Sequence, residues 1–478
     1  MIQKMSRSLS RWAYHYVPDP FSIAILLTIL TAFICMLLTP HSWLDIIGFW
    51  GGRVVDQQVI AQEKGIWKLL SFTMQMCLIL VSGHALAMAP SIQKGLQGLS
   101  RLPHTSSQAI AITCMTAMIA GWCNWGLGLI VGALLAREMG KNCHARGLSV
   151  HYPLLGAAGY TGLLVWHGGL SGSAPLKVTQ SKDLLEIFGD QKIQTIGLDE
   201  TLWSSLNWSV NLTLLLVVPL ILIAMQPNEQ DQVSINDQLV DDESTHHGTT
   251  DDASANSSVI SDSSSHQLTL KPWAQRINES RWLGRLLAII CVIYLIQYLS
   301  LKGINHLDLN TINLVFITLG LILHSNTTAY AQAIQQAMIG CAGILIQFPL
   351  YAGIMAMMSL SGVSTLIAQT ITHYASTESF SALTFLSAGL LNLFIPSGGG
   401  QWAVQGPLIL QSAHTLQAPL GESVMAFSYG DAWTNMLQPF WALPLLGITG
   451  LKAQQIVGYT ATLMLLVLPV YLFAFWIF

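Results

Sequence analysis

The sequence predicts an all-α polytopic membrane protein built from two inverted repeats, each with a re-entrant hairpin and a broken transmembrane helix. Three observations predict this class: a shortage of charge, a series of long apolar runs, and a pattern of interruptions that occurs twice. Of the 478 residues, 52% are hydrophobic and only 9% are charged, and the mean hydropathy is +0.52. A soluble domain carries about 25% charged residues, so a soluble globular enzyme and a disordered chain are both excluded. The net charge of −4 also leaves no basic surface for nucleic acid.

Eleven apolar runs reach or approach the ~20 residues that a membrane-crossing helix needs. The first, residues 21–39, follows Pro18-Asp19-Pro20, in which Asp19 suits an N-cap and Pro20 a first helical position. This run is longer than the apolar core of a signal peptide, so we expect a retained helix. The other runs are 67–89, 109–136, 152–176, 207–225, 282–300, 311–324, 337–360, 381–411, 422–446 and 455–476.

The seven cysteines do not form a metal-binding or disulfide pattern. Their number is odd, and neither a CxxC pair nor a Cys/His ligand spacing occurs. Most of them lie within apolar runs, where cysteine usually behaves as a small hydrophobic residue. We therefore expect neither a bound metal nor a cofactor.

Residues 226–280 differ in composition from the rest of the chain. Nine acidic residues lie within 229–262, and no Lys or Arg precedes Lys271 in this segment. Such a stretch cannot bury enough apolar surface to fold. It predicts an acidic, Ser-rich disordered linker between a first membrane repeat, 1–225, and a second, 281–478.

The two halves carry the same order of features: an apolar helix, an interrupted apolar run and a second interrupted helix. Gly- or Pro-interrupted hydrophobic segments at corresponding places in two halves are typical of the binding site of a secondary transporter. These features are Gln75, Asn124–Gly128 and Trp166–Ser173 in the first half, and Gln347, Asn392 with Pro396–Trp402, and Asp431–Asn435 with Gln438-Pro439 in the second.

Both interrupted runs, 109–136 and 381–411, are expected to be re-entrant hairpins. From Leu127 to the charged pair Arg137-Glu138 a helix rises about 15 Å, which is half of the ~30 Å hydrocarbon core. The alternative for the first run is one long tilted helix. With both runs re-entrant, nine crossings remain and the two repeats are inverted.

The distribution of positive charge supports a cytoplasmic N-terminus. With that orientation, 13 of the 20 Lys and Arg residues face the cytoplasm and 7 face the other side. This asymmetry agrees with the positive-inside rule. The linker is then cytoplasmic.

The interruptions supply a candidate site for a small carboxylate. Helix N-termini attract anions and unwound carbonyls can hold a cation, while no deep Lys or Arg is placed to clamp a second carboxylate. The tryptophans beside the breaks, Trp125, Trp166, Trp402 and Trp433, could enclose a short apolar tail or belong to ordinary packing. The candidate substrate-binding residues are Asn124, Trp125, Gly126, Gly168, Gly169, Ser171, Ser173, Ser397, Gly398, Gly399, Gly400, Gln401 and Asn435.

Asp431 is the clearest formal charge at membrane depth, where charges are costly enough to be functional by default. We expect Asp431 to couple ion or proton movement. The alternative is a structural acid that is hydrogen-bonded to a neighbouring break. His84, His167 and His324 also lie in or beside apolar runs, and His167 is the best candidate for a proton relay.

An intramembrane serine hydrolase is the rival class. Gly169-Leu170-Ser171-Gly172 has the GxSG form that rhomboid proteases place around their nucleophile, but a Ser–His dyad needs one particular histidine facing the serine. That family has fewer spans and no inverted repeat, and a channel would not need paired broken helices. We therefore expect no catalytic residue and a carrier that works by alternating access.

The motifs resemble those of the AtoE-type short-chain fatty acid transporters, a family usually placed in a broad ion-transporter superfamily. The resemblance covers nearly the whole chain outside the acidic linker. It is carried by Tyr16–Pro20, Gly83–Ala87, Asn124–Gly128 with Val131–Ala133, Gly168–Ser173, Pro396–Gly400 and Gln438–Pro444.

The resemblance implies uptake of small monocarboxylates such as butyrate or acetoacetate across a bacterial inner membrane, by an elevator-like homodimer with two re-entrant hairpins. The sodium-binding members of the superfamily carry Ser-Asn-Thr at both hairpin tips, whereas this chain has Cys123-Asn124-Trp125 and Pro396-Ser397-Gly398. Proton coupling is therefore the expectation, and a sodium-coupled carrier of another small organic anion is the alternative. The resemblance also implies a glutamate where this chain has Asp431, which keeps the carboxylate on a shorter side chain.

Overall fold

The computed structural model describes an almost entirely helical body. The described residues are 18, 20–52, 54–55, 58–59, 65–181, 195–228, 231–235, 273–303, 307–393 and 398–478. The helices of the first half are α1 (Pro20–Leu38), α2 (Trp43–Gly51), α3 (Leu70–Ala87), α4 (Pro90–Ser100), α5 (Ser106–Cys123), α6 (Trp125–Ala145), α7 (Tyr152–Tyr160), α8 (Gly162–Val165), α9 (Ser173–Lys177) and α10 (Ser205–Ala224), with a short 3-10 turn at Trp166–Gly168.

The second half continues the same helical architecture. A two-residue antiparallel pair in the first half, β1 (Val54–Val55) with β2 (Gln58–Val59), is a small departure from the predicted all-α fold. The helices of the second half are α11 (Trp273–Asn278), α12 (Arg281–Lys302), α13 (Leu309–Leu323), α14 (Thr327–Met338), α15 (Ala342–Leu360), α16 (Val363–Tyr374), α17 (Phe380–Asn392), α18 (Gly398–Leu416), α19 (Leu420–Thr434), α20 (Pro439–Thr449) and α21 (Ala453–Ile477), with 3-10 turns at Ile339–Cys341 and Asn435–Leu437.

Several helices have the length and composition of membrane spans. A further span arises if the two parts Thr73–Ala87 and Pro90–Ser100, bent by 67°, are counted as one. Other predicted runs are present as shorter helices or are broken at glycine or proline. Fewer described helices are therefore long and apolar enough to span a membrane than the nine crossings predicted. The number of crossings stays a prediction. Within the described residues the qualifying helices are Ser106–Cys123, Ser205–Ala224, Arg281–Lys302, Thr327–Leu360 and Ala453–Ile477.

Large apolar side chains cover much of the outer surface. In α12, Leu286, Ile290 and Ile293 are 57%, 63% and 60% exposed. An apolar helical face of this kind is unfavourable in water, and lipid contact removes that cost. The chain is a multi-pass helical membrane protein.

The first interrupted run folds as a helical hairpin, α5 and α6, that turns at Asn124. Asn124 has an extended backbone (φ −159°, ψ 127°), and its Oδ1 accepts the N–H of Leu127 at 2.9 Å, which caps α6. Gly121 and Gly128 approach so closely that a Cβ on Gly128 would lie 2.3 Å from the Cα of Gly121. The chain reverses there, so the alternative of one long helix over 109–136 is wrong. Re-entry of this hairpin from one side of the membrane stays a prediction.

Helices α17 and α18 form the corresponding pair in the second half. Gln401 Nε2 donates to the carbonyl of Ala388 at 2.7 Å, and Gln405 Nε2 donates to Ser387 Oγ at 3.0 Å. Later residues of one helix thus lie beside earlier residues of the other, as in an antiparallel hairpin. The connection, 394–397, lies outside the described residues. Each half has a helical hairpin followed by a broken helix, while inversion of the two repeats stays a prediction.

The remaining interrupted runs are broken helices with a 3-10 turn at each break. The first comprises α7, α8, Trp166–Gly168 and, after a non-helical stretch, α9, and the second comprises α19, Asn435–Leu437 and α20. The N–H of Leu170 donates to the carbonyl of Trp122 at 2.8 Å and ties the first break to the first hairpin. Pro439, whose missing N–H is tolerated in a first helical turn, begins α20 after the second break.

The predicted linker begins in contact with the helical body. The N–H of Tyr152 donates to the carbonyl of Val233 at 2.9 Å, and the N–H of Val233 donates to His151 Nδ1 at 3.1 Å. Ile235 is 4% exposed. Residues 236–272 lie outside the described part of the chain, and disorder across them stays a prediction.

Candidate functional site

The two broken helices meet at a buried acid–histidine pair. Asp431 Oδ2 on α19 lies 2.6 Å from His167 Nδ1 in the first break, and the two side chains are 1% and 0% exposed. Because the residues come from different halves of the chain, the pair connects those halves. Trp166 stacks on the imidazole with 4.4 Å between ring centroids, and Phe427 meets it edge-on at 5.8 Å. These rings hold the imidazole in one orientation.

A backbone amide fixes the tautomer of His167. The N–H of Ala174 donates to Nε2 at 3.1 Å, and an amide N–H can only donate. Nε2 therefore carries a lone pair, the ring proton lies on Nδ1, and that N–H donates to Asp431. The imidazole is then neutral, and with Asp431 ionised the pair places one net negative charge inside the protein.

The second oxygen of the Asp431 carboxylate is buried and finds no partner among the described residues. Among the described residues, no donor reaches the buried Oδ1, which is a costly state for an anion. A proton or a cation bound at Oδ1 would relieve this cost without breaking the bond from His167. Oδ1 is thus the oxygen of the pair at which a further donor or a cation could bind.

Further unpaired oxygens surround the second break. Asn392 Nδ2 donates to the backbone carbonyl of Asp431 at 2.8 Å, and Gln438 Nε2 donates to the carbonyl of Asn392 at 2.6 Å, which fixes both amide orientations. In the described structure, Asn392 Oδ1, Gln438 Oε1 and Gln401 Oε1 are buried without a donor. Groups of three or more His, Cys, Asp or Glu that could hold a metal ion do not occur among those residues.

The first break and the first hairpin tip present hydrogen-bond donors instead. Asn124 Nδ2, Trp125 Nε1 and Trp166 Nε1 are buried and find no acceptor within the described residues. Ser171 Oγ accepts the backbone N–H of Trp125 at 2.9 Å, so Ser171 and the Asn124 oxygen together satisfy the start of α6. The side-chain N–H groups remain available to a ligand.

A narrow cleft lies where all four interruptions meet. The empty space between its walls, part of it open to the surroundings, is about 270 Å³. Its described lining contains no Lys, Arg, Asp or Glu. The lining consists of Trp125, Trp166, Gly398 and Asn435, one from each interruption, together with Met76, Leu163 and Trp441.

Glycine at position 398 lets the second hairpin approach the acid–histidine pair. A Cβ there would lie 2.7 Å from His167 Cε1, 2.9 Å from Trp166 Cη2 and 3.0 Å from Ser173 Oγ. Because α6 begins at Trp125 and α18 begins at Gly398, two helix N-termini lie at the cleft. Their positive partial charges make the cleft suitable for an anion.

Tyr160 and Asn207 hold the broken backbone, and neither is among the site residues predicted from the sequence. The Tyr160 hydroxyl lies 3.0 Å from the carbonyl oxygen of Asn435 and 2.8 Å from that of Gln438. Asn207 Nδ2 donates to the carbonyl of Gly168 at 2.9 Å. Each side chain supplies a partner that an interrupted helix lacks. A lone hydroxyl or amide within an apolar run is the signal that could have found them.

The structure brings the predicted site residues together but gives them different positions. Trp125, Gly398 and Asn435 line the cleft, and Ser397 lies outside the described residues. The other predicted residues lie within the described part of the chain but are absent from the lining: Asn124, Gly126, Gly168, Gly169, Ser171, Ser173, Gly399, Gly400, Gln401, His167 and Asp431.

The four tryptophans beside the breaks divide between the two roles that the sequence left open, which are a wall of the site and ordinary packing. Trp125 and Trp166 line the cleft. Trp402 instead packs edge-on against Phe427 with 4.9 Å between centroids, and Trp433 Nε1 donates to a backbone carbonyl on α21 at 2.7 Å. Among the other histidines, His324 Nε2 lies 2.7 Å from the carbonyl oxygen of Ala85, which is a packing role.

Ser173, His167 and Asp431 stand in the order of a Ser-His-Asp triad, with Ser173 Oγ 3.2 Å from His167 Nε2. The Nε2 lone pair already accepts the N–H of Ala174, so the imidazole is not free to take a proton from the serine. Ser171, the serine of the GxSG pattern, accepts a backbone N–H instead. The geometry therefore does not favour hydrolase chemistry.

Comparison with known proteins supports one family. The family model described as "Short chain fatty acid transporter" matches residues 1–478. A protein of Escherichia coli (strain K12) named "Putative short-chain fatty acid transporter" is 38% identical over 466 residues, covering 97% of each chain. A Haemophilus influenzae protein of the same name is 36% identical over 476 residues, covering 99% of each chain.

A solved structure shows a weaker likeness. The chain is similar to the YdaH transporter of Alcanivorax borkumensis at a TM-score of 0.47 and 16% identity, covering 94% of this chain and 98% of that one. The family model and the full-length relatives decide the assignment. The chain belongs to the short-chain fatty acid transporter family.

Proposed function

We propose that the chain is a secondary active transporter for short-chain monocarboxylates such as butyrate or acetoacetate, coupled to protons and working by alternating access. The observation that carries this proposal is the buried His167–Asp431 pair, which joins the two halves beside a cleft suited to an anion. A cleft lined by interruptions from both halves would change shape as the halves move relative to each other. The names of the full-length relatives support the substrate class.

The charge of the pair supports proton coupling. A substrate carboxylate in the cleft and an ionised Asp431 would be two negative charges in a site with little water, which is unfavourable. Protonation of Asp431 Oδ1 removes one charge while the bond from His167 stays in place. One proton carried with each monocarboxylate makes the transport step electroneutral.

A sodium-coupled carrier of another small organic anion is the second candidate. Asn392 Oδ1, Asp431 Oδ1 and Gln438 Oε1 are unpaired oxygens in the described structure, on residues joined by hydrogen bonds. Hard cations prefer oxygen ligands. Proton coupling ranks first because the hairpin tips lack the Ser-Asn-Thr of the sodium-binding relatives.

The same proposal places the protein in a bacterial inner membrane as a homodimer with a cytoplasmic N-terminus. The count of 13 Lys and Arg on the cytoplasmic side against 7 on the other supports the orientation. The resemblance to the wider superfamily supports the dimer, the inverted repeats, the re-entry of both hairpins and an elevator-like movement.

Uptake into proteoliposomes tests the proposal. Radiolabelled butyrate is presented with an acid-outside proton gradient and, separately, with an inward sodium gradient, and empty liposomes give the baseline because butyric acid crosses lipid unaided. We expect accumulation above that baseline with the proton gradient alone. Accumulation with the sodium gradient alone would favour the second candidate. If butyrate does not accumulate above the baseline under either gradient, the proposed butyrate carrier is rejected.

A further inference from the structure

The described lining of the cleft combines N–H donors with apolar side chains. Trp125 and Trp166 have ring centroids 6.4 Å apart and are 3% and 5% exposed. Trp441 meets Trp125 edge-on at 5.1 Å. Met76 and Leu163 complete the apolar part of the lining. The cleft therefore has both a hydrogen-bonding and a hydrophobic component.

The indole N–H groups of Trp125 and Trp166 are buried, and neither finds an acceptor among the described residues. A buried N–H without an acceptor is costly, and most such groups in folded proteins are satisfied. Both residues line the cleft, so a molecule that enters it is in a position to supply the acceptor. Trp402 Nε1 is also unpaired in the described structure, but Trp402 is not part of that lining and so offers a matched comparison.

A carboxylate is the group that fits these donors. Its two oxygens can accept two N–H groups at once, and the helix N-termini at Trp125 and Gly398 favour its negative charge. The described lining contains no Lys or Arg to neutralise a second carboxylate. Met76, Leu163 and Trp441, which complete the lining together with Asn435, suit an alkyl tail. A monocarboxylate is therefore favoured over a dicarboxylate.

We propose that the indole N–H groups of Trp125 and Trp166 receive the substrate carboxylate, and that Met76, Leu163 and Trp441 bound its alkyl tail and set the longest chain accepted. This inference rests on the proposed function and identifies the residues that contact the carboxylate and the alkyl tail of the substrate. Met76 and Leu163 are apolar, so neither stands out in the sequence as a site residue.

Chain-length preference tests the apolar end. Leu163→Ala enlarges the cleft, and Leu164→Ala, which removes a neighbouring buried side chain outside the described lining, is its control. We expect the ratio of kcat/KM for hexanoate to that for butyrate to rise by about tenfold in Leu163→Ala, since one methylene in a fitted pocket is worth at least that much. The ratio should stay unchanged in Leu164→Ala. Equal ratios in the two variants would overturn this half of the inference.

Removal of one donor tests the polar end. Trp166→Phe keeps an aromatic ring and deletes the N–H, and Trp402→Phe makes the same change outside the lining. We expect the KM for butyrate to rise by about tenfold in Trp166→Phe, the effect of losing one hydrogen bond to a charged group, with kcat little changed. Trp402→Phe should keep the wild-type KM. Equal KM values in the two variants would contradict the assignment of the carboxylate to Trp166.

Competition in the wild-type protein keeps the inference testable if a variant fails to fold. Propionate and pentanoate should inhibit butyrate uptake, whereas succinate at the same concentration should not. Inhibition by succinate as strong as that by pentanoate would overturn the inference. Absence of butyrate uptake by wild type would instead reject the proposed function, so the two failures are distinguishable.

Discussion

The two broken-helix regions differ in the hydrogen-bonding groups that they leave unpaired. Around the first break and its hairpin tip the unpaired groups of the described structure are N–H donors, on Asn124, Trp125 and Trp166. Around the second break they are oxygens, on Asn392, Asp431 and Gln438. Trp402 on the second hairpin is an exception, since its unpaired group is an N–H.

Under the proposed function, these two regions of similar architecture have different roles. Unpaired donors suit an anion, whereas unpaired carboxylate and amide oxygens suit a proton or a cation. The His167–Asp431 bond connects the regions, so charge taken up at the second break can influence the cleft beside the first. In the proposed mechanism, the His167–Asp431 hydrogen bond couples proton binding at the second break to substrate binding in the cleft.

The contact between the two regions can be broken at Gly398. Gly398→Ala would place a Cβ 2.7 Å from His167 Cε1, and the imidazole cannot move away because both its nitrogens are hydrogen-bonded. We expect the largest effect of the substitutions discussed here, a loss of nearly all carrier-dependent butyrate uptake. Gly447→Ala on α20, where a Cβ meets no atom within 4 Å, is the control. Normal uptake by Gly398→Ala would show that the close approach is not needed.

The support of the second break by the first half can be weakened at Tyr160. Tyr160→Phe removes the hydroxyl that lies at the carbonyls of Asn435 and Gln438. Loss of partners for buried carbonyls costs about 1–3 kcal/mol, so we expect a lower midpoint of thermal unfolding in detergent and reduced uptake. Tyr330→Phe, which removes a longer 3.4 Å contact to a carbonyl, should have the smaller effect. The reverse order of the two midpoints would contradict this role of Tyr160.

The smallest effect is expected at Ser173. Ser173→Ala removes a hydroxyl 3.2 Å from His167 Nε2, which keeps its bond from Ala174. Butyrate uptake should fall by less than about tenfold, the range of one neutral hydrogen bond. A fluorophosphonate probe for reactive serines should label neither wild type nor Ser173→Ala. Labelling of wild type that is lost in Ser173→Ala would instead indicate hydrolase chemistry.

Local signals in the sequence are sufficient to predict the positions of the breaks. Asn124–Gly128 and the glycines near residues 168 and 398 mark interruptions, because asparagine and glycine have strong local backbone preferences. The deep carboxylate of Asp431 and the histidine at 167 also stand out one by one. Their position within apolar runs is energetically costly, and ionisable residues at such positions are usually functional.

The contact between Asp431 and His167 and the lining of the cleft could not be predicted from local sequence signals. The bond between His167 and Asp431 joins positions 264 residues apart, and a single sequence carries no signal for such a contact. Met76 and Leu163 look like any apolar residue of a membrane helix, and only the tertiary structure places them at the cleft. For the same reason the sequence could not decide between a site role and ordinary packing for Trp433, whose Nε1 donates to a carbonyl on α21.

The most direct test of the central claim compares two transport modes in Asp431→Asn. The asparagine is neutral like a protonated Asp431, so the variant should still exchange labelled butyrate for unlabelled butyrate across a proteoliposome membrane. It should lose accumulation driven by an acid-outside proton gradient, because it has no proton to take up or release. Glu422→Gln, which neutralises an acid in the first turn of the same helix, should keep both modes. Accumulation by Asp431→Asn at the wild-type level would contradict the claim that Asp431 carries the coupled proton.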